Sequence, residues 1–201
     1  MKQIILIRHA QVNIDNSQKI DAHSLREWVE TYDTAPIHHK SLPSKETISL
    51  VQSADVVVTS TLSRTSDSAK VLGVKVYEQN RLFNEADIPN VNIPYVKFKP
   101  KTWLVILRLM LLLGLGKKDV SLKTSKAQAK KAAKRLINLS EEYDKVVLVG
   151  HGGMNWLIRQ VLVKEGCVLE GKGSHENWGA TVLTATTQAH SYTPHSKETR
   201  A

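Results

Sequence analysis

The stretch Gln3-Ile4-Ile5-Leu6-Ile7-Arg8-His9 decides how this chain is read. Its apolar run has no polar face, as expected of a strand covered on both sides in a parallel sheet. It closes on a basic pair, which puts a guanidinium and an imidazole at the carboxyl edge of that sheet. Open α/β sheets hold their ligands at this edge. A second run, Lys145-Val146-Val147-Leu148-Val149, reads the same way and ends on Gly150-His151-Gly152-Gly153. Two histidines delivered by two buried strands point to one shared site. An imidazole beside a guanidinium suits phosphate chemistry, because arginine matches phosphate oxygens bidentately.

Working outward, Asp55 to Ser60 reads as another strand, Val74 to Tyr77 as a third, and Thr181 to Thr186 alternates like a last one. Leu62 to Leu72 is expected to form a helix stopped by Gly73. Ser44 is placed to cap a helix through about Ser53. Asp15 to Pro43 has no clean period and reads mostly as loop, with a short helix from Ser24 to Thr31. Leu82 to Pro100 reads as a proline-bearing loop. Ser125-Lys126-Ala127-Gln128 has the form of a capping box opening a helix to about Leu139, and Met154 to Lys164 follows His151 as a helix. Strands alternating with helices predict an α/β fold in three layers, a mostly parallel sheet with helices on both faces.

The chain has 201 residues, enough for one domain spanning 1–201, with 86–124 as an inserted lid or interface segment. At 41% hydrophobic and 23% charged, wholesale disorder is excluded. A net charge of +9 favours anionic partners: phosphorylated metabolites, nucleic acid or acidic lipid surfaces. A lone Cys167 cannot form an internal disulfide. The apolar run after Met1-Lys2 is too short for a secretory signal. A cytoplasmic protein is therefore expected. The tail from His190 to Ala201, with His190 and His195, reads as solvated.

Trp103 to Gly116 reads WLVILRLMLLLGLG, apolar on all sides and broken only by Arg108. It is shorter than the roughly 20 residues needed to span a bilayer. It reads as a core or subunit-interface helix, with a peripheral membrane contact or an apolar substrate lid as the alternative. A homodimer through 103–116 is one candidate assembly. Lys117 to Arg135 is rich in lysine, but Ala129, Ala132, Ala133 and Leu136 fall on another side of the same helix, so a solvated basic face is expected. No basic motif interleaved with aromatics is present, and nucleic acid is not the expected partner.

Four strand-end segments carry chemistry in order: Arg8-His9-Ala10, Ser60-Thr61-Leu62-Ser63-Arg64, Leu82-Phe83-Asn84-Glu85 and Gly150-His151-Gly152-Gly153. In these residues the chain resembles the histidine phosphatase superfamily, the phosphoglycerate-mutase-like proteins, from Met1 to about Gln160 with 86–124 set aside. The resemblance implies a phosphomonoester hydrolase that forms a phosphohistidine on His9. It implies Arg8 and Arg64 as a phosphate clamp with His151 as a further donor, and Glu85 as the acid and base. Gly152-Gly153 would let backbone amides approach an oxyanion. A phosphoglycerate-type mutase shares the phosphohistidine step, but its substrate-carboxylate motifs have no match here. A catalytically weak phosphate-binding protein is the other alternative. Ala10 stands where the family has glycine, and its methyl group is expected to narrow the phosphate cradle. Asn13 and Asn16 are further candidate donors to phosphate. No metal or cofactor is expected, and the adjacent His38-His39 read as exposed.

Overall fold

The computed structural model describes residues 1–88, 93, 95–113 and 122–185. Its sheet is built from β1 (Gln3–Arg8), β2 (Val56–Thr59), β3 (Glu78–Gln79), β4 (Lys145–Gly150), β5 (Val168–Glu170) and β6 (Ala180–Thr184). Their order is β3-β2-β4-β1-β6-β5. β1 to β4 run parallel, and β6 and β5 extend the sheet by antiparallel pairing on the far side of β1. Alternation splits the strand residues between two faces. Ile4, Leu6, Val146 and Leu148 pack beneath α5 (Leu122–Glu142) and α6 (Gly152–Lys164). Ile5, Ile7, Val147 and Val149 pack on the other face with Val51 of α2 (Lys45–Gln52) and with Leu72, which ends α3 (Ser63–Val71). This is the expected three-layer, mostly parallel α/β architecture.

A third cluster sits apart from these two. α1 (Ala22–Thr34) and α4 (Pro100–Leu112) bury Ala22, Leu25, Trp103 and Leu107 against each other. Together they form a small cap. Trp103, Leu107 and Leu111 recur every four residues and are buried, whereas Val105, Leu109 and Leu113 stand exposed on the helix. The all-round apolarity of this segment therefore serves one packed stripe and one bare stripe. Gly114 to Gly116, read as its end, lie outside the described residues. Among the described residues no helix is long and apolar enough to cross a membrane.

Several local readings are corrected. The short helix of Ser24 to Thr31 runs longer at both ends, from Ala22 to Thr34, because the Asp21 side chain accepts from the Ser24 N–H at 2.9 Å and sets the start. The third strand is Glu78–Gln79 rather than Val74 to Tyr77. Tyr77 N–H reaches the Val57 carbonyl at 2.8 Å and the ladder begins only there, so Val74 to Val76 lie short of the sheet edge. Ser125 does not cap a helix: it is buried inside α5, which already begins at Leu122. Gln128, the expected capping partner, instead donates its side-chain amide to the carbonyls of Leu82 and Asn84 at 3.2 and 3.1 Å. β5 was not expected at all. Ser44 caps α2 as expected, and Gly73, at φ 71°, ends α3. The lysines 126, 130, 131 and 134 of α5 are exposed, opposite its buried alanines. Thr186 and the tail with His190 and His195 lie outside the described residues.

Candidate active site

Strand register brings the two histidines together. Arg8 is paired with Gly150 across β1 and β4, and Thr59 with Val149 across β2 and β4. The next residues of all three strands, His9, His151 and Ser60, therefore emerge side by side at the carboxyl edge. The His9 and His151 ring centroids lie 5.1 Å apart at 63°.

His9 is 2% exposed. Its Nδ1 sits 2.6 Å from the Ala10 carbonyl oxygen. A carbonyl only accepts, so Nδ1 holds the proton and Nε2 keeps its lone pair. Burial pulls the His9 pKa well below the ordinary imidazole value of 6.5, and the electrostatic influence of His151, Arg64 and Arg8 adds to that. The ring is thus neutral at pH 7 and presents a free nitrogen.

His151 is fully buried, and its pKa is likewise held well below 6.5, by burial first and then by Arg64 and Arg8. Arg64 Nε–H donates to its Nδ1 at 3.3 Å. The remaining ring proton therefore lies on Nε2 and is directed at Ser60 Oγ, 2.7 Å away. Both ring nitrogens are committed within the protein. In this arrangement His151 orients Arg64 and has no ring nitrogen left to offer as the further donor that the resemblance implied.

Arg64 rises from the first turn of α3 and is almost wholly buried. Its Nη1 pairs with Asp33 Oδ1 of α1 at 2.8 Å, and its guanidinium lies 4.9 Å from the centre of the Tyr32 ring. Arg8 donates through Nη1 to the His175 carbonyl at 2.7 Å, while its Nε is buried without a partner. That leaves one buried N–H of the expected clamp unused.

Glu85 follows a 3-10 turn, Arg81–Phe83, that leaves β3. Three contacts fix this turn: Phe83 is fully buried, Asn84 Oδ1 accepts from the backbone and hydroxyl of Thr61, and Gln128 holds the turn's carbonyls. The carboxylate of Glu85 accepts from the Gly153 N–H at 3.3 Å and the Met154 N–H at 2.8 Å, at the start of α6. Arg108 of α4 pairs with it at 3.2 Å. Of the two amides expected to cradle a substrate oxyanion, that of Gly153 holds the acid, together with Met154. A Cβ on Gly153 would fall 2.7 Å from Glu85 Oε1, so only glycine leaves room for this seat.

Ala10 does not narrow the cradle. Its methyl is buried with Ile5, Ile7 and Val51, and its N–H donates to Ser68 Oγ at 2.9 Å. Asn16 spends its side-chain amide on the Ile14 carbonyl. His38 and His39 stack on each other 4.8 Å apart. Among the described residues no cluster of His, Cys, Asp or Glu is arranged to hold a metal ion.

Arg8, His9, Arg64 and Glu85 all line one cavity of about 540 Å³, walled by α1 and α4. Gly152 lines an adjoining cavity of about 370 Å³ that shares Arg8 and Glu85 with the first. Sequence reasoning missed Asp33 and Tyr32, because the helix was expected to stop at Thr31. Carried one turn further, the same pattern places Asp33 four residues after Val29, on the face that meets Arg64.

No protein-family model matches this sequence, and no curated protein matches it. Solved structures do. The mycobacterial glucosyl-3-phosphoglycerate phosphatase complexed with VO3 aligns over 92% of this chain and 91% of its own, with a TM-score of 0.57 and 15% identity. Phosphoserine phosphatase from Entamoeba histolytica, in complex with 3-phosphoglyceric acid, aligns over 94% and 99%, with a TM-score of 0.53 and 17% identity. A mutant of that enzyme with phosphoserine aligns over 94% and 98%, with a TM-score of 0.55 and 15% identity. This chain shares the fold of these solved phosphatases.

Proposed function

We propose that this protein hydrolyses phosphomonoesters through a phosphohistidine on His9. The observation that carries the reading is the state of His9: a neutral ring, proton fixed on Nδ1, with Nε2 free beside Arg64 in a cavity large enough for an ester. Likeness to phosphatases supports it at the level of fold.

In the first step Nε2 bonds to phosphorus as the P–O bond to the alcohol breaks. Arg8 and Arg64 balance the charge spreading onto the non-bridging oxygens. Glu85 takes the proton carried by the substrate monoanion and passes it to the departing oxygen, which leaves as the alcohol while Glu85 returns to the carboxylate. In the second step Glu85 takes a proton from water, whose oxygen attacks phosphorus, and the P–N bond breaks to release inorganic phosphate. Since the carboxylate rests on the α6 amides and Arg108, it has to turn from them to reach the leaving oxygen. His151 keeps Arg64 in orientation throughout. The test is turnover of an aryl phosphate such as p-nitrophenyl phosphate. Wild-type protein is expected to turn over, and His9→Ala to fall by at least about a thousandfold, as removal of an essential nucleophile does. Equal rates for the two proteins refute the reading.

A further inference from the structure

The cavity before His9, at about 540 Å³, falls within the range of roughly 300–1,000 Å³ typical of sites for whole small molecules. It is far larger than one phosphoryl group requires. Of the charged side chains the cap brings to this cavity, Asp33 and Arg108 are matched, on Arg64 and Glu85, while Arg26 and Glu30 are exposed. Between those two pairs the cap contributes apolar and aromatic surface: Trp28, Val29 and Tyr32 from α1, and Leu104 from α4. Trp28 and Tyr32 lie one turn apart and stack, with centroids 5.1 Å apart and planes 25° from parallel. The Trp28 indole N–H is spent on the Asp15 carbonyl at 3.0 Å, so its ring offers the cavity no free donor. The exposed Arg26, Glu30 and Asp87 also line this cavity. Past the Arg108–Glu85 pair, the adjoining cavity continues with Leu111, Leu122, Trp156 and Leu157. Apolar side chains from both cavities therefore adjoin the carboxylate that would serve the leaving oxygen, beside the Arg108 and amide contacts that hold it.

We infer that the substrate is the phosphate monoester of an apolar alcohol, alkyl or aromatic, whose hydrocarbon body packs against Trp28, Val29 and Leu104. The inference rests on the hydrolase reading and names the substrate class for it. An ester carrying its own carboxylate would need a cation beside the phosphate clamp. Arg64 and Arg108 are engaged by carboxylates of this chain, and Arg26, the cap's other cation on this cavity, is exposed to water, where an ion pair gains little. A hydrocarbon body needs no such partner and gains by leaving water.

The experiment uses the full chain and linear alkyl phosphates from ethyl through butyl to hexyl. Their leaving groups have nearly equal basicity, so chemistry is held constant along the series. O-phosphoserine and 3-phosphoglycerate are run beside them. Each methylene withdrawn from water favours binding about fourfold. From ethyl to hexyl phosphate, kcat/KM is expected to rise at least about tenfold, with most of the gain in KM, and both carboxylated esters are expected to fall below hexyl phosphate. Trp28→Ala and Leu104→Ser are expected to flatten the series. The hexyl-to-ethyl ratio is the readout, and it does not depend on what fraction of a variant is folded. A flat series in the wild type, or carboxylated esters turned over best, overturns the inference and leaves the hydrolase reading standing. A series that rises equally in the wild type and both variants also overturns it. No turnover of any ester, p-nitrophenyl phosphate included, by protein with native circular dichroism overturns the hydrolase reading, and the inference with it.

Discussion

Asp33 shows how much a single side chain can decide at this site. Its carboxylate accepts from Arg64 Nη1 at 2.8 Å. On the proposed reading a phosphate oxygen competes with it for this guanidinium, and Asp33, with its side chain 43% exposed, has water to retreat into. Only the Asp33 side of the pair is open, since the Arg64 side chain is 3% exposed, so the pair is worth more than the roughly 0.2–1 kcal/mol of a fully exposed one. Asp33→Asn is expected to tighten orthovanadate binding at least about twofold, measured by competition against p-nitrophenyl phosphate, and to lower the melting temperature, because it removes the charge partner of a buried guanidinium. Weaker binding would show that Asp33 serves the clamp instead of competing with it. Gly153 argues the same point from the other side. A methyl group there would meet Glu85 Oε1 at 2.7 Å and push the acid off its seat. Gly153→Ala is expected to lower kcat by about a hundredfold, the scale of one general acid–base group, while KM changes little. Unchanged kcat would show that the seat is not needed.

Elements divide into those that announce themselves in sequence and those that do not. β1 and β4 are continuous apolar runs buried on both faces, and the histidines at their ends inherit their position from the register of those strands. That is why His9 and His151 were legible without coordinates. β5, Val168–Glu170, is a three-residue edge strand whose residues are exposed or half-buried, so no hydrophobic period marks it. Gln128 misled because a glutamine three residues after a serine has the same spelling whether it caps a helix or reaches across to another turn. The pairing of Asp33 with Arg64, and of Arg108 with Glu85, depends on how the cap docks, which no local pattern encodes. α4 offers a test of its two stripes. Trp103 is fully buried and donates its indole N–H to the Ile20 carbonyl at 2.7 Å, so Trp103→Ala is expected to cost about 3–5 kcal/mol in urea denaturation. Leu109, more than half exposed on the same helix, is expected to tolerate glutamine within about 0.5 kcal/mol. Equal effects at both positions would show that the cap is not packed as described.

For the whole molecule, the two buried neutral histidines couple stability to pH. Each has a folded pKa well below 6.5, with burial as the main cause, so the unfolded chain binds protons first as pH falls. Stability therefore rises with pH in that window and is lost as pH drops below about 6.5. Each histidine contributes a slope of at most about 1.4 kcal/mol per pH unit until its folded pKa is reached. The urea midpoint is expected to fall from pH 7 to pH 5, and His151→Gln to fall less steeply. The same depression keeps His9, the proposed nucleophile, unprotonated in mild acid, so the acid limb of kcat/KM is expected below pH 6.5. The site as a whole stands or falls on what His9 becomes during turnover. Rapid quenching of the protein with a labelled aryl phosphate, followed by peptide mass spectrometry, reads that directly. One phosphoryl group on the His9 peptide, lost in acid, stable in base and absent from His9→Ala, is the predicted result. Steady turnover in which His9 never carries phosphorus would contradict the account.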